Sequence, residues 1–229
     1  MTRSRLGVVV VVAALAVGAG PAAHALEGVV AGEAAPASGG WVSAWLGVGS
    51  VDSVLLANDG ATDARTLDGT AAAPVFGVAV HYRTSRLDLG LLLEGLGSGR
   101  FAGLARDQRL GSQFRVAASL RWRYLDESWG ALFVRLAPGL MVFGHSDALR
   151  AQAAELAGGD ALRFEEVDEF GLGFTLGLDF GALVYLSRRV ALSLQLNVLT
   201  NATSLRALGT DVSYTAIRGL FTVGLEWRM

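Results

Sequence analysis

Residues 170–186 read FGLGFTLGLDFGALVYL, and this stretch decides the fold. Apolar side chains occupy every second position from Phe170 to Leu186, while four of the eight positions between them are glycine. Side chains alternate between the two faces of a β-strand, so the pattern predicts a strand with one apolar face. That face exceeds the five or six residues of an ordinary soluble strand. It matches the roughly 9–11 residues that a tilted strand needs to cross a bilayer.

Seven other segments alternate in the same way. The predicted strands are residues 40–51, 74–83, 87–96, 113–124, 130–143, 170–186, 190–199 and 217–229. The connections between them alternate between long and short, and the first and last connections are long. This rhythm is typical of a transmembrane barrel with both termini in the periplasm. The sequence therefore predicts an all-β fold: an eight-stranded antiparallel transmembrane up-and-down β-barrel with short periplasmic turns and long extracellular loops.

A soluble lipocalin-like barrel or sandwich would also alternate, and three features favour the membrane barrel. The first is the length of the apolar faces, and the second is the glycine on the opposite face of 170–186, which suits a crowded narrow lumen. The third is a group of aromatic residues at the inferred periplasmic ends, where membrane interfaces favour such rings. These residues are Trp41, Tyr82, Trp122, Tyr124, Trp129, Tyr185 and Trp227.

The composition agrees with a membrane protein. The chain has 229 residues, of which 52% are hydrophobic and 17% charged, and its mean hydropathy is +0.44, which excludes a disordered protein. It has no cysteine, which excludes disulfides and thiolate sites. The 19 basic residues are all arginine, and the net charge of −2 indicates no nucleic-acid partner.

The amino terminus has the pattern of a targeting segment. Residues 1–25 comprise a basic start, an apolar run from Leu6 to Gly20 and a small-residue cleavage site ending at Ala25. An uncleaved anchor is the alternative, although the apolar run is short for a membrane span. We therefore expect a signal peptide at 1–25, a periplasmic lead-in at 26–39 and an outer-membrane barrel at 40–229.

The carboxy terminus reads TVGLEWRM and carries a further motif in Thr222, Gly224, Trp227 and Met229. It resembles the β-signal by which the barrel assembly machinery recognises outer-membrane proteins. Met229 occupies the position where an aromatic residue is usual. The chain resembles the small eight-stranded outer-membrane barrels of the OmpA/OmpX type. The resemblance implies a bacterial outer-membrane location and a monomer in contact with lipid and lipopolysaccharide. During biogenesis it implies periplasmic chaperones and the assembly machinery as partners.

If the apolar faces point outward, the polar faces fill the lumen. The candidate lumen network is Glu94, Arg135, Asp179, Arg121, Glu226, Arg115 and Gln195. Buried ions need partners, so we expect Arg135 to pair with Glu94 or Asp179, and Arg121 with Glu226 or Asp88. Counting from the periplasmic turns puts Glu94 at mid-barrel and Arg115 higher. Trp41 and Trp45 are expected to point inward against the strand at 170–186.

Two interpretations of this lumen stay open: ion pairs that plug it, or a narrow charged path. Eight-stranded barrels are usually filled by their own side chains, so the plug is favoured. We expect a non-enzymatic barrel that presents loops for adhesion, envelope integrity or lipid interaction. The alternatives are a narrow channel, or a carrier of small solutes with a lateral opening.

A lipid A-modifying enzyme is a further alternative, and His145-Ser146-Asp147 is the candidate for its chemistry. Residues adjacent in a loop do not by spacing alone form a triad, so we expect no catalytic site. We also expect no metal or other cofactor, because the acidic residues of loop 144–169 have no calcium-loop spacing. Residues 147–157 are predicted to be a helix capped by Asp147 that either docks on the barrel mouth or stays free.

Overall fold

The computed structural model describes residues 38–57, 64–97 and 111–229, and in 50–57 and 64–72 it describes the backbone alone. Eight strands form one closed antiparallel barrel in which each strand pairs with its sequence neighbours and β1 pairs with β8. The strands are β1 Gly39–Ala57, β2 Ala64–Arg83, β3 Leu87–Leu96, β4 Gln113–Asp126, β5 Gly130–Gly144, β6 Phe170–Tyr185, β7 Val190–Ala207 and β8 Thr210–Arg228. Helix α1 (Asp147–Leu156) and a 3₁₀ helix (Ala161–Glu166) lie between β5 and β6.

The predicted eight-stranded antiparallel barrel is confirmed. The predicted signal peptide, nearly all of the predicted lead-in and residues 98–110 of the connection after the third predicted strand lie outside the described residues. In the part of the chain that the structure describes, no helix is long and apolar enough to cross a membrane.

Alternating burial explains why these segments form a barrel with its apolar side outward. In β4, buried and exposed residues alternate strictly from Gln113 to Tyr124. Outward side chains such as Leu91, Leu120 and Phe174 are 63%, 42% and 75% exposed. Polar and charged groups on the opposite face are buried in the lumen. This inside-out pattern is stable only when the surrounding medium is itself apolar.

Four of the eight strands extend the barrel wall further on the extracellular side than the others. The sequence prediction of these strand ends was wrong. Strands β1, β2, β7 and β8 continue far beyond their predicted extracellular ends. Residues 200–216 are not a long loop, because β7 and β8 stay paired up to Ala207 and Thr210. Only Leu208 and Gly209 connect them, both with positive φ, as a two-residue hairpin turn requires. In β7 and β8 the extension escaped prediction because its outward positions are polar or small, so no apolar face marks it.

The register of β1 puts Trp41 and Trp45 in the lumen, at 0% and 3% exposure. The glycine that accommodates the Trp45 ring lies on β2, and not on β6 as expected. A Cβ at Gly77 of β2 would come within 2.3 Å of the Trp45 ring, so glycine there makes room for the indole. The glycines of β6 make room for other side chains. The Phe133 ring, for example, lies over Gly181.

Four of the seven aromatic residues predicted at the membrane interface point outward. Tyr82, Trp122, Tyr124 and Trp227 are 41% to 58% exposed at the turn end of the wall. Trp41 and Tyr185 are instead buried inside the barrel, because their positions fall on the inward face of β1 and β6. Trp129 is partly buried in the turn before β5.

Candidate functional site

The lower lumen, near the short turns, contains a network centred on Arg121 of β4. Its Nε donates to Asp88 of β3 at 2.7 Å, and its Nη2 donates to Glu226 of β8 at 3.0 Å. The same Nη2 lies 2.8 Å from Nε2 of His81. The guanidinium also lies over the Phe133 ring, 4.9 Å from its centroid. Arg121 therefore contacts both of the partners that the sequence predicted, and these contacts connect β4 to β3 and β8.

Arg83 and Arg123 complete this lower network, which we define as His81, Arg83, Asp88, Arg121, Arg123 and Glu226. Arg83 lies 3.4 Å from Glu226 and 3.7 Å from Asp88, and its guanidinium stacks 4.1 Å above Trp41. Arg123 was not among the predicted lumen residues, although it lies on the inward face of β4. It pairs with Asp88 at 3.2 Å and with Asp126.

At mid-barrel, Arg135 of β5 pairs with Asp179 of β6, directly opposite in the register. Its Nη2 donates to Oε1 of Gln195 at 2.9 Å, and the guanidinium lies 5.4 Å from the Trp45 ring centroid. The amide of Asn197 faces the same Asp179 carboxylate. Of the two predicted partners of Arg135, Asp179 is therefore the one that the fold supplies.

Glu94 pairs instead with Arg115, with 3.2 Å between Oε1 and Nε. The two residues are direct cross-strand partners of β3 and β4, so the different heights predicted for them were wrong. Counting along each strand ignores the shear of a tilted barrel, which offsets neighbouring strands. Arg218 of β8 is 1% exposed and within electrostatic reach of Glu94.

The lumen also contains apolar clusters. Val75, Leu96, Leu199 and Leu220 come from β2, β3, β7 and β8 and form one buried cluster across the barrel. A second cluster lies at the mouth, where Phe143 and Tyr214 stack with 4.9 Å between ring centroids. The lumen is thus filled in successive layers from the turns to the mouth.

Residues 145–169, which we call the cap, close the mouth. Leu149, Ala153 and Ala154 of α1 are fully buried in the cluster with Phe143 and Tyr214. Arg150 donates from Nε to the carbonyl of Val167 at 3.1 Å, which holds α1 to the returning chain. The helix predicted from sequence is therefore docked on the barrel mouth and is not free.

The candidate catalytic residues of the cap serve separate roles. Ser146, rather than the predicted Asp147, caps α1, since its hydroxyl accepts from the Leu149 N–H at 3.2 Å. Asp147 lies 3.3 Å from Arg150. His145 is 8% exposed and its Nδ1 lies 2.6 Å from the Asp168 carbonyl. Burial lowers the pKa of His145 below its usual range. His145 thus bonds a backbone carbonyl, Ser146 a backbone N–H of α1 and Asp147 the Arg150 guanidinium.

The motif at the carboxy terminus lies in and just beyond β8. Thr222 and Gly224 face the lumen, Trp227 faces outward, and the Met229 side chain is 69% exposed. The Met229 N–H donates to the Gly40 carbonyl at 3.0 Å, so the last residue helps to close the seam between β8 and β1.

A cavity of about 600 Å³ opens on the outer wall near the mouth. It lies where β3, β4, β5 and β6 reach their extracellular ends, and it includes outward and inward residues. Sequence analysis did not predict it, since it depends on the unequal heights of neighbouring strands. In the described part of the chain, no group of three metal-ligating side chains is close enough to hold an ion.

A closed barrel of eight antiparallel strands with an apolar outer wall and a charged, filled lumen defines the class of protein. It is the fold of the small eight-stranded outer-membrane barrels, the OmpA/OmpX type.

Solved structures of bacterial outer-membrane proteins share this fold. Neisserial surface protein A matches 85% of this chain and 100% of its own, with a TM-score of 0.50 and 12% identity. The outer membrane protein OprG from Pseudomonas aeruginosa matches 86% of this chain and 98% of its own, with a TM-score of 0.51 and 15% identity. No protein-family model and no curated protein sequence matches the chain. The similarity is therefore one of fold, and it supports an outer-membrane location.

Proposed function

We propose that this protein is a non-enzymatic, non-conducting barrel of the outer membrane that acts through its wall and its cap, in adhesion, envelope integrity or lipid interaction. The observation that carries the proposal is the layered filling of the lumen. The lower network, the Arg135–Asp179 pair and the apolar cluster around Leu199 lie one above the other, and α1 covers the mouth. The interior of an eight-stranded barrel is just wide enough for its own side chains, so layers that fill it leave no room for a continuous aqueous path.

The absence of enzymatic activity is part of the proposal. A hydrolase or acyltransferase of this kind needs a nucleophile, a base and an orienting group within hydrogen-bond reach. Among the described residues, His81 contacts Arg121 and His145 contacts a backbone carbonyl, so neither histidine is paired with a serine.

The biological setting is proposed with it. Export by the signal peptide 1–25 would deliver the chain to the periplasm, where chaperones and the barrel assembly machinery would receive it through the motif ending at Met229. The mature protein would then be a monomer surrounded by lipid and lipopolysaccharide. The wide apolar outer wall supports this setting.

Single-channel conductance tests the closed lumen. The refolded protein is inserted into a planar bilayer, and its folding is checked by heat-modifiable electrophoretic migration. We expect a silent membrane for the wild type and for Arg163→Ala, a control in the exposed Arg163–Glu166 pair of the cap. Discrete steps in the wild type that change with Arg135→Ala but not with Arg163→Ala would overturn the proposal.

The outer-wall cavity favours a second candidate, a carrier that admits small solutes through the side of the barrel. A carrier must move the solute across the membrane, and binding in the cavity alone is not sufficient. Proteoliposomes loaded with labelled solute distinguish the two, because a carrier would release the solute equally fast as wild type or Arg163→Ala, and more slowly as Gly144→Leu, which adds a side chain at a glycine that lines the cavity.

A further inference from the structure

The lumen contains a layer of buried polar side chains directly beneath the cap. We call it the upper polar layer, and its members, each at most 5% exposed, are Glu94, Arg115, Thr175, Asn201 and Arg218. Arg115 pairs with Met141 across β4 and β5. Asn201 pairs with Thr175 of β6 on one side and with Ala216 of β8 on the other. Met141 and Ala216 belong to the buried cluster that receives α1, so the layer lies next to the docked cap.

Many polar atoms of this layer have no hydrogen-bond partner among the described residues. They are the three guanidinium nitrogens of Arg218, Nη1 of Arg115, the Thr175 hydroxyl and both amide atoms of Asn201. In the lower network, by contrast, every side-chain nitrogen of Arg121 and of Arg123 has a partner. Burying polar atoms without partners costs free energy, because they lose their hydrogen bonds to water. Hydration of the upper polar layer therefore favours lifting of the cap.

The unpartnered atoms lie around one region of the lumen. A Cβ at Gly177 of β6 would come within 2.9 Å of Nη1 of Arg115, so this guanidinium reaches across to β6. Thr175 is the next inward residue of β6 toward the mouth. Leu199 of β7 pairs with Gly177 on one side and with Arg218 on the other. Donors from β4, β6, β7 and β8 are thus grouped at one height.

The upper polar layer carries an excess of positive charge. Nε of Arg115 lies 3.2 Å from Glu94, and Arg218 is within electrostatic reach of the same carboxylate. Two guanidinium groups therefore share one carboxylate, and a buried charge needs a counterion. The unpartnered nitrogens are all donors, and the Thr175 hydroxyl can also donate. The ligand that fits the layer is an acceptor with one negative charge, whereas a cation would add to the excess.

We propose that the cap is a lid over an anion site: when it lifts, the upper polar layer takes up water and one small inorganic anion such as chloride. With the cap docked these atoms are sealed from solvent, so the anion enters only in the lifted state. Cap opening and anion binding consequently favour each other. The proposal adds a binding site to the closed-lumen barrel, and it requires neither conduction nor transport.

Cysteine accessibility tests the lid on the full barrel in phospholipid nanodiscs. The chain has no cysteine, so Thr175→Cys introduces a single thiol. Its modification by an anionic and by a cationic methanethiosulfonate is measured relative to 2-mercaptoethanol. Adding Leu149→Ala should raise the modification rate by the same factor as the hydrogen-exchange rate of the α1 amides. After normalisation, the anionic reagent should react about tenfold faster than the cationic one, because the layer is positive.

Thr222→Cys is the matched control. Thr222 is also a buried lumen threonine whose hydroxyl has no partner in the described part of the chain. It pairs with Gln195, the partner of Arg135, and therefore lies deeper than the upper polar layer. We expect no modification of Thr222→Cys with or without Leu149→Ala. Each variant must keep the heat-modifiable migration of the folded barrel.

Replacing gluconate by bromide at constant ionic strength tests the anion in the cysteine-free protein. Bromide binds the lifted state, so about 0.2 M bromide should speed exchange of the α1 amides about fivefold and saturably. Gluconate is too large for the narrow lumen of eight strands. Arg218→Met removes the excess charge and should abolish the bromide effect. Arg163→Ala removes an exposed arginine of the cap and should keep it.

Three results would overturn the proposal. The first is unchanged reactivity of Thr175→Cys while Leu149→Ala speeds α1 exchange. If Leu149→Ala leaves that exchange unchanged, Ala153→Glu, which places a charge in the same buried cluster, takes its place. The second is equal α1 exchange in bromide and gluconate, or a bromide effect that persists in Arg218→Met. The third is equal reactivity toward the two reagents. Conductance enters none of these readouts, so the lid and the closed lumen can fail independently.

Discussion

The lower and upper halves of the lumen are closed by different means. In the lower half, Arg121 contacts Asp88, Glu226 and His81, and its neighbours Arg83 and Arg123 share the same carboxylates. In the upper half, the Glu94–Arg115 pair has Arg218 nearby, while the amide of Asn201 and the hydroxyl of Thr175 have no partner in the described part of the chain. Apolar packing under the cap closes this upper half.

The difference shows which interactions set the stability of each half. With Asp126 at its edge, the lower network sets three arginines against three carboxylates across β2, β3, β4 and β8, so losing one member leaves the others unbalanced inside a low dielectric. The upper half has two arginines for one glutamate, and its seal comes from Leu149 and its neighbours in the cap. We therefore expect the barrel to depend on the network and the mouth to depend on the cap.

The largest expected effect comes from removing the centre of the lower network. Arg121→Met leaves an excess carboxylate among buried charges, which we expect to cost about 3–5 kcal/mol of the free energy of unfolding. Arg115→Met should cost only about 1 kcal/mol, because Arg218 still compensates Glu94. Urea unfolding in lipid vesicles, followed by tryptophan fluorescence, measures both.

A double variant checks that charge balance is the cause. Arg121→Met combined with Glu226→Gln removes one charge of each sign and should recover part of the loss. Equal costs for Arg121→Met and Arg115→Met, or no recovery in the double variant, would contradict the contrast between the two halves.

The next effect separates the cap from the barrel. Leu149→Ala removes a fully buried side chain from the cluster at the mouth and should weaken docking of the cap by about 2–5 kcal/mol. We expect faster trypsin cleavage after Arg150 and Arg163 with unchanged unfolding of the barrel. Leu162→Ala, at a side chain that is 81% exposed, is the matched control and should change neither. Cooperative loss of the whole barrel would show that cap and wall are one unit.

The membrane part of the fold could be predicted from sequence because lipid imposes a strict alternation. Phe114, Leu120 and Phe174 lie outward as that alternation requires. Beyond the membrane the constraint disappears: β7 continues through Thr200, Ala202 and Ser204, whose side chains give no apolar face. Strand ends in water are fixed by pairing with β8, which no local pattern in β7 reveals.

The site was less predictable than the fold. The inward face of β4 identifies Arg115 and Arg121 as lumen residues, but partner choice depends on the register and tilt of neighbouring strands. Arg135 faces Asp179 because β5 and β6 pair there, and Glu94 faces Arg115 for the same reason in β3 and β4. The outer-wall cavity depends on four strand ends at once, so it has no signal in any one segment.

A smaller effect tests the amino-terminal end of α1. Ser146→Ala removes the hydroxyl that accepts from the Leu149 N–H and should cost about 1 kcal/mol of helix stability. Asp147→Ala should cost less, because it removes only a first-turn acid and a solvent-exposed contact with Arg150. Hydrogen exchange of the α1 amides measures the two. A larger effect from Asp147→Ala would indicate that Asp147, and not Ser146, is the N-cap residue of α1.

The smallest effect is a pH dependence confined to the cap. Because burial lowers the pKa of His145, the docked cap binds a proton less readily than the open cap, where the pKa is about 6.5. Docking is therefore most stable above about pH 6.5 and weakens as the pH falls below it, by at most tenfold per pH unit. Arg150 opposes protonation of the His145 ring, and Asp168 favours it.

Hydrogen exchange of α1 at pH 7.5 and 5.5, corrected for the intrinsic rate, measures this dependence. The wild type should lose protection at pH 5.5, while His145→Asn, which keeps a side-chain donor for the Asp168 carbonyl, should not. Retention of the same pH dependence in His145→Asn would assign it to another group. A loss that extended into the Arg121 network would instead mean that the two halves of the lumen are coupled, since the ring contacts the cap and Phe143 but not the lower network.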